Sequence, residues 1–265
     1  MHGPQAKKPR RGIQSVAIGM SVLKAVAHAP GPLFLRELAQ AVDMPGSKIH
    51  RYLVSLIEAG LIEQDEESGR YRLGPFALEL GRAARGRIDG LAIVTEGLTR
   101  LAEETDLDAL VSVWGAGGPT VVRCVTRPMG VALRVHEGTV LPVMSTATGR
   151  LWACYLPPET YAPLLRDELS EGAGDGTGMR AEELEARFRS QLAEIRTTRM
   201  SRSEGEYQAG IDALSGPVVR SGEIPAFAVT VIGSHGRLDL SGDGDTARRL
   251  DQILSELSAR LIAQS

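Results

Sequence analysis

Two short stretches of the chain carry side chains whose types and spacing suit molecular recognition. In the first, Ser47, Lys48, His50 and Arg51 share the polar face of a helix-like segment. Hydroxyl and imidazole groups can bond base edges or phosphates, and lysine and arginine neutralise phosphates or pair with guanine. The stretch therefore predicts contact with double-stranded DNA. A solvated helix face is the alternative for the group, and packing within the domain is the alternative for His50.

The second stretch places hydroxyl groups and small side chains at the start of another predicted helix, at residues 145–149. The unpaired N–H groups of a helix's first turn form an anion site. A small carboxylic acid could bind these N–H groups and the hydroxyl of Thr146 or Thr148, and Ala147 and Gly149 would allow its close approach. The alternative is ordinary capping of the helix by Ser145 or Thr146.

Patterns typical of enzymes and metal sites are missing from the sequence. The five histidines are scattered, and no spacing of Cys, His and carboxylates resembles a metal site. There is no G-x-S-x-G motif, and neither Cys124 nor Cys154 has an obvious general base beside it. The acidic, glycine-rich residues 171–178 fit no phosphate-binding motif and predict a flexible loop. We therefore expect neither catalysis nor a metal or organic cofactor.

The composition is that of an ordinary globular protein. The chain has 265 residues, of which 43% are apolar, and this length favours two domains. No apolar run approaches the roughly 20 residues that span a bilayer, and no secretory signal follows the basic start. The two cysteines lie among apolar neighbours and predict inert buried thiols rather than a disulfide scaffold. We expect a cytoplasmic protein without a membrane partner.

The charges are divided unevenly along the chain. Residues 1–88 carry 13 lysines and arginines against 8 acidic residues, whereas residues 89–265 carry 17 against 25. A basic first part suggests that this part contacts a polyanion. A basic localisation arm on an enzyme would have the same composition. Residues 1–12 are interpreted as a basic disordered arm, with a solubilising tail as the alternative.

Hydrophobic periodicity predicts three helices in residues 13–74. The first has Val16, Met20, Leu23 and Ala27 on its apolar side behind Ser15 as N-cap. The second spans residues 35–42. The third closes near Gly60, with Gly60 as its left-handed terminal residue. Its buried stripe is expected to be Ile49, Leu53, Leu56 and Ile57.

Two short strands, at residues 61–64 and 71–73, follow the third helix directly. Two helices joined by a tight turn indicate a helix-turn-helix, and the hairpin after them makes it winged. Arg70 and Arg72 of the wing are predicted to contact the DNA backbone or minor groove. The next predicted helix, residues 75–88, links the domains. Its apolar edge is expected to pack either against a second copy or against its own domain.

Residues 89–265 alternate between helical and strand patterns. The expected helices lie at residues 91–104, 145–155 and 181–198 and at the C-terminus. The expected strands lie at residues 109–114, 120–126, 131–135, 213–220 and 225–232. This order predicts an α+β sandwich with an antiparallel sheet and helices outside it.

Several stretches resemble the IclR family of bacterial transcriptional regulators. They are ELAQAVDMPGSKIHRYLVSLIEAGLIEQDEESGRYRLGPFALELG, LPVMSTATGRLWACYLP and RSEGEYQAGIDALSGPVVRSGEIPAFAVTVIG. The resemblance spans about residues 15–262. It implies a winged helix-turn-helix at residues 13–74, a linker helix at 75–88 and a GAF-like α/β effector-binding domain at 89–265. It also implies a DNA-binding regulator, interpreted as a repressor, that forms dimers or dimers of dimers.

The same resemblance implies where the effector binds. Ala147 and Thr148 match ligand-contacting small residues of the family, and Ser203, Ala213 and Thr230 align with positions lining its pocket. Some family members are acidic at the position of Ser203, and many have Cys at that of Ala213. A pocket wall that is neutral at these two positions favours an anionic or aromatic effector over a polar cation, and we expect a small organic acid such as an aromatic carboxylate.

Three apolar residues are further candidates for the pocket lining, with core packing as an equal alternative for each. They are Trp114, Leu133 and Met144. The competing interpretation of the whole chain is a small-molecule-binding module or an enzyme with a vestigial DNA-binding domain.

Overall fold

A computed structural model describes residues 13–86, 90–128, 130, 135–170, 180–242 and 244–264. The chain divides into two compact units, Met1–Ile88 and Asp89–Ser265. Three features predicted above lie outside the described residues: the basic arm, most of the strand at 131–135 with Leu133, and the glycine-rich residues 171–178.

The N-terminal unit is a winged helix-turn-helix. Its elements are α1 (Gln14–His28), α2 (Leu35–Ala41), α3 (Gly46–Glu58), β1 (Ile62–Gln64), β2 (Tyr71–Leu73) and α4 (Pro75–Gly86). The core packs side chains of α1, α2, α3 and the wing around the fully buried Val22, Leu38 and Ile49. Gly60 has the left-handed conformation expected of it, with φ 69°. The wing strands pair antiparallel, with Glu63 opposite Arg72.

Three details of the predicted helices are wrong. Helix α1 buries Val22 and Val26, whereas Val16 and Met20 are 58% and 45% exposed. Ser15 lies inside α1, and Ile13 holds the N-cap position without a side-chain cap. Helix α1 has apolar residues on more than one side, so the sequence does not show which side is buried. The contact with α3 decides this. Likewise Ile57 of α3 is 37% exposed rather than buried.

The C-terminal unit is built on one antiparallel sheet. Its strands are β3 (Asp108–Gly115), β4 (Gly118–Val125), β5 (Ser201–Glu204), β6 (Ile211–Val218) and β7 (Phe227–Ser234), in the spatial order β4-β3-β7-β6-β5. Its helices are α5 (Leu91–Thr105), α6 (Ala147–Tyr155), α7 (Pro158–Ser170), α8 (Ala181–Thr198) and α9 (Asp245–Ala263). Helices α5 and α9 contact each other, and α6 contacts both the sheet and α8.

Strand register decides which side chains share a sheet face. Thr230 lies between Leu110 of β3 and Ser215 of β6, and Ala213 lies between Ile232 of β7 and Ser203 of β5. Directly paired residues point to the same side of a sheet. The paired residues of β3, β7, β6 and β5 therefore share one face of the sheet although they are far apart in sequence. Helix α6 covers this face, since Thr148 is hydrogen-bonded to Thr230.

Two elements escape the sequence prediction. The first is α7, where Pro157, Pro158 and Pro163 in the sequence indicate a break rather than a helix. Pro158 instead occupies the first position of α7, where proline is tolerated, and Pro163 lies inside the helix. Strand β5 consists of serines, an arginine and a glutamate, which have low strand propensity, and β6 supplies its pairing.

The cysteines are half-buried and free, rather than fully buried as expected. Burial raises the pKa of the Cys124 thiol to about 11. This thiol is therefore protonated at neutral pH and is a poor nucleophile.

Candidate functional site

The exposed face of α3 carries the first group of predicted site residues. Ser47, Lys48, His50 and Arg51 are all exposed, while Ile49 between them is fully buried. Lys48, His50 and Arg51 have no side-chain partner among the described residues. Because no ion pair has to be broken, this face is available to a polyanion.

The two wing arginines are already engaged within the N-terminal unit. Arg70 donates to the carbonyl of Pro32 at 3.1 Å, and its guanidinium lies 4.2 Å from the centre of the Phe34 ring. Arg72 pairs with Glu63 at 2.6 Å, and both side chains are more than a third exposed. An exposed pair of this kind is worth only about 0–1 kcal/mol. Arg72 can therefore exchange its partner for a phosphate more easily than Arg70 can.

Arg36 is a cation that the sequence reasoning missed. It is exposed in the first turn of α2, its guanidinium lies 5.5 Å from the Phe34 ring centre, and it has no carboxylate partner among the described residues. In helix-turn-helix proteins this helix crosses the DNA backbone. The sequence does place an arginine at the predicted N-terminus of α2, and that position could have suggested a DNA contact.

The second site is a cavity between the sheet face and the start of α6. It holds about 410 Å³ of empty space, part of which is open to solvent. No charged side chain is among the described residues that line it. They are Leu110, Val135, Leu141, Thr146, Ala147, Thr148, Ser203, Tyr207, Gln208, Ile211, Ala213, Thr230 and Ile232.

The cavity brings together six of the ten residues predicted to bind an effector. They are Thr146, Ala147, Thr148, Ser203, Ala213 and Thr230. Three others lie elsewhere. Trp114 and Met144 pack in the hydrophobic core around Trp152, as the core-packing alternative requires, and Gly149 faces backbone. Leu133 lies outside the described residues.

The first turn of α6 combines a cap with two free donors. Thr146 is the N-cap: its hydroxyl accepts from the N–H of Gly149 at 2.8 Å and donates to the carbonyl of Pro142 at 2.7 Å. The capping alternative is thus correct for Thr146, whose hydroxyl proton is not free for a ligand. The N–H groups of Ala147 and Thr148 have no acceptor among the described residues. These two N–H groups can bind an anion at the positive end of the helix dipole.

A buried chain of hydroxyls runs from the cavity into the sheet. Thr148 Oγ1 lies 2.8 Å from Thr230 Oγ1, which lies 2.8 Å from Ser215 Oγ; this hydroxyl reaches the carbonyl of Val229 at 3.4 Å. If every hydroxyl in this chain donates in the opposite direction, only the longest hydrogen bond, from Ser215 to the carbonyl of Val229, is lost. Thr148 can therefore present either a lone pair or an O–H to the cavity.

Two contacts hold the start of α6 rigidly in place. A Cβ atom on Gly149 would lie 2.1 Å from the carbonyl oxygen of Pro142, so only glycine permits this approach. Glu168 of α7 accepts the N–H groups of Val143 and Met144 at 2.5 Å and 2.8 Å. The start of α6, including the lining residues Ala147 and Thr148, is therefore positioned before any ligand arrives.

Other kinds of site find little support. Within the part of the chain that the structure describes, no three His, Cys, Asp or Glu side chains are placed to hold a metal ion. None of the described helices is long and apolar enough to cross a membrane.

Comparison with known proteins identifies both units. The family model for the IclR helix-turn-helix domain matches residues 15–66, and that for the C-terminal part of bacterial IclR transcriptional regulators matches residues 84–259. The chain belongs to the IclR family. As an IclR protein it is a transcriptional regulator with a helix-turn-helix DNA-binding domain and a C-terminal effector-binding domain.

Named members of the IclR family align over most of the chain. The transcriptional regulator TtgV of Pseudomonas putida is 30% identical over 200 residues, which are 76% of this chain and 74% of TtgV. The transcriptional repressor IclR of Escherichia coli is 25% identical over 239 residues, which are 88% and 85% of the two chains.

A solved IclR homologue has the same fold. It comes from Microbacterium hydrocarbonoxydans, was crystallised with 4-hydroxybenzoate and superimposes with a TM-score of 0.74 at 18% identity. The match covers 94% of this chain and 99% of that one.

Proposed function

We propose that this protein is a transcriptional repressor whose affinity for operator DNA is lowered by a small carboxylic acid, of the hydroxybenzoate class, bound beside α6. The observation that carries the proposal is the cavity, whose described lining has no charged side chain and includes two N–H groups at the start of α6 that have no acceptor among the described residues. Such a protein acts in the cytoplasm, where it has access to the chromosome.

The DNA-binding half of the proposal rests on α3. Its exposed Lys48, His50 and Arg51 have no competing partners among the described residues, and small residues such as Ser47 allow the helix to enter a major groove. This free cationic face argues against a vestigial DNA-binding domain. The E. coli relative carries the name repressor, which supports that direction of regulation.

The acid-binding half rests on the chemistry of the cavity. A carboxylate can accept from the N–H groups of Ala147 and Thr148 and from the Thr148 hydroxyl. Leu110, Ile211 and Ile232 offer apolar surface to a ring. The 4-hydroxybenzoate held by the M. hydrocarbonoxydans homologue supports this class of ligand.

Regulation then follows from linkage. DNA binding needs two winged helices at a fixed separation, matched to half-sites about 34 Å or a multiple apart. An acid that binds one arrangement of the dimer better shifts the population towards that arrangement. A coupling of about 1–3 kcal/mol would change operator affinity roughly 5–150-fold.

Thr148→Val is expected to weaken binding of 4-hydroxybenzoate, because the variant keeps the side-chain shape and loses the hydroxyl. Losing a hydrogen bond to a charged group costs about 1.5–3 kcal/mol, or roughly 10–150-fold in Kd. Isothermal titration calorimetry measures this change. Thr99→Val is the matched control, since the Thr99 hydroxyl donates to the carbonyl of Thr95 on α5 and has no other partner among the described residues. Equal affinities of Thr148→Val and the wild-type protein would contradict the proposed site.

A homodimer is the expected assembly, because α4 leaves apolar side chains uncovered in the single chain. Phe76, Leu78 and Leu80 are 41%, 66% and 46% exposed. Phe76 and Leu80, four residues apart, form a continuous edge that a second copy of the helix can cover. Sedimentation equilibrium at micromolar concentration is expected to give a dimer or a dimer of dimers, and a monomer would contradict this assembly.

A further inference from the structure

The segment 205–210, between β5 and β6, forms one wall of the cavity. It contributes Tyr207 and Gln208 to the lining, and Tyr207 is 40% exposed. Backbone bonds fix the two ends of the segment: Gly205 N–H donates to Ile211, and Gly210 accepts from His235. Ile211 N–H also donates to the carbonyl of Gln208 at 3.0 Å, whereas Glu206 and Tyr207 have no backbone hydrogen bond among the described residues, so side chains decide how that part of the wall is held.

The Glu206 side chain is not part of the cavity lining and pairs instead with the buried Arg150 and with Arg187, which is 40% exposed. Its carboxylate contacts Arg150 of α6 at 2.5 Å and also pairs with Arg187 of α8. The side chains of Arg150 and Glu206 are only 2% and 10% exposed. Arg150 also donates to the carbonyls of Met144 and Arg202, both at 2.6 Å. Burial lowers the pKa of Arg150, and the charge of Glu206 opposes that shift.

A gain in folding stability does not by itself explain why Arg150 and Glu206 form a buried ion pair. Removing two charges from water is costly, and apolar residues of similar volume often serve a fold equally well. The pair does, however, join the two parts of the cavity wall that are far apart in sequence. Arg150 lies one helical turn beyond the free N–H groups of α6, and Glu206 lies next to Tyr207.

We infer that the buried Arg150–Glu206 pair holds segment 205–210 closed over the cavity, so that Tyr207 and Gln208 contact the effector. Glu206 is thus a positioning residue for effector recognition. This inference rests on the proposed function for its effect on ligand binding, while its effect on the segment itself is independent of any ligand.

Glu206→Gln is the direct test. Arg150 and Arg187 donate to different carboxylate oxygens of Glu206, and a glutamine replaces one of these oxygens with an NH₂ donor and removes the negative charge. Hydrogen–deuterium exchange without ligand should show faster exchange at the amides of Gly205 and Ile211, both bonded within the segment. If the segment is in place for a tenth of the time, the Kd for 4-hydroxybenzoate rises about tenfold. Affinity for DNA without effector should be unchanged.

Glu204→Gln is the matched control, because Glu204 is exposed and no hydrogen bond or ion pair of its side chain occurs among the described residues. Arg187→Met is the second variant in case Glu206→Gln does not fold: it removes one of the two guanidinium groups that fix the Glu206 carboxylate, which loosens the pair with Arg150, and it should speed exchange at the same amides to a smaller extent. Unchanged exchange in whichever of the two variants folds would overturn the inference. Failure of the wild-type protein to bind any acid would instead refute the acid-binding proposal, and the exchange result would still decide the role of Glu206.

Discussion

Arg51→Ala is expected to reduce affinity for operator DNA roughly 5–150-fold, the equivalent of about 1–3 kcal/mol for one arginine–guanine contact. Arg51 is exposed on α3, one turn after the helix begins, and has no carboxylate partner among the described residues. All of its binding energy is therefore available to DNA. A gel-shift titration on a promoter fragment, repeated at several salt concentrations, measures the loss.

The same titrations distinguish the two kinds of contact. If Arg51 binds phosphate, affinity falls equally on operator and random duplex, and the salt slope decreases by about 1. If it binds guanine, the loss is larger on the operator. Arg189→Ala, which removes an exposed arginine paired with Glu185 on α8, controls for net charge. Unaltered operator affinity would remove Arg51 from the interface.

Gly149→Ala adds one methyl group next to the cavity and is expected to lower the stability of the protein more than a glycine-to-alanine change elsewhere around the cavity. The new Cβ would lie 2.1 Å from the carbonyl oxygen of Pro142 and 2.6 Å from Val143 Cα, so backbone must move. Overpacking of this kind costs about 1–3 kcal/mol. At roughly 2–4 °C per kcal/mol for a domain of this size, the Tm should fall by about 2–12 °C. Differential scanning calorimetry measures this shift.

The matched control is a glycine in open surroundings. A Cβ on Gly81 of α4 meets nothing within 4 Å, and alanine is the better helix former by about 1 kcal/mol. Gly81→Ala should therefore keep or raise the Tm. If Gly149→Ala behaved in the same way, the account of how the start of α6 is fixed would be incorrect.

Sequence patterns predicted most of the N-terminal unit because its signals are local. Helix α3, its glycine terminus and the wing follow from apolar spacing and turn residues within about thirty positions. The apolar face of α1 does not follow in this way. Val16 and Val22 are the same residue type, and only the contact with α3 determines that Val22 is buried and Val16 exposed. Helix α7 was missed because its prolines indicate a break.

The cavity was only partly predictable for a related reason. The start of α6 is a contiguous motif, so Thr146, Ala147 and Thr148 could be found in sequence. Tyr207 and Gln208 carry no comparable signal, because the strand register and the Arg150–Glu206 pair bring them to the cavity. Met144 and Trp114 have the composition expected of a pocket lining, yet they pack in the core.

The central claim is that occupancy of the cavity and binding of DNA are coupled, and one reciprocal titration tests it. Operator affinity is measured with and without saturating 4-hydroxybenzoate, and affinity for the acid is measured with and without operator. We expect the acid and the operator each to weaken the binding of the other by the same factor, because a coupling free energy is reciprocal. Binding of the acid with no change in operator affinity, or no preference for any genomic fragment over random duplex at moderate salt, would contradict it.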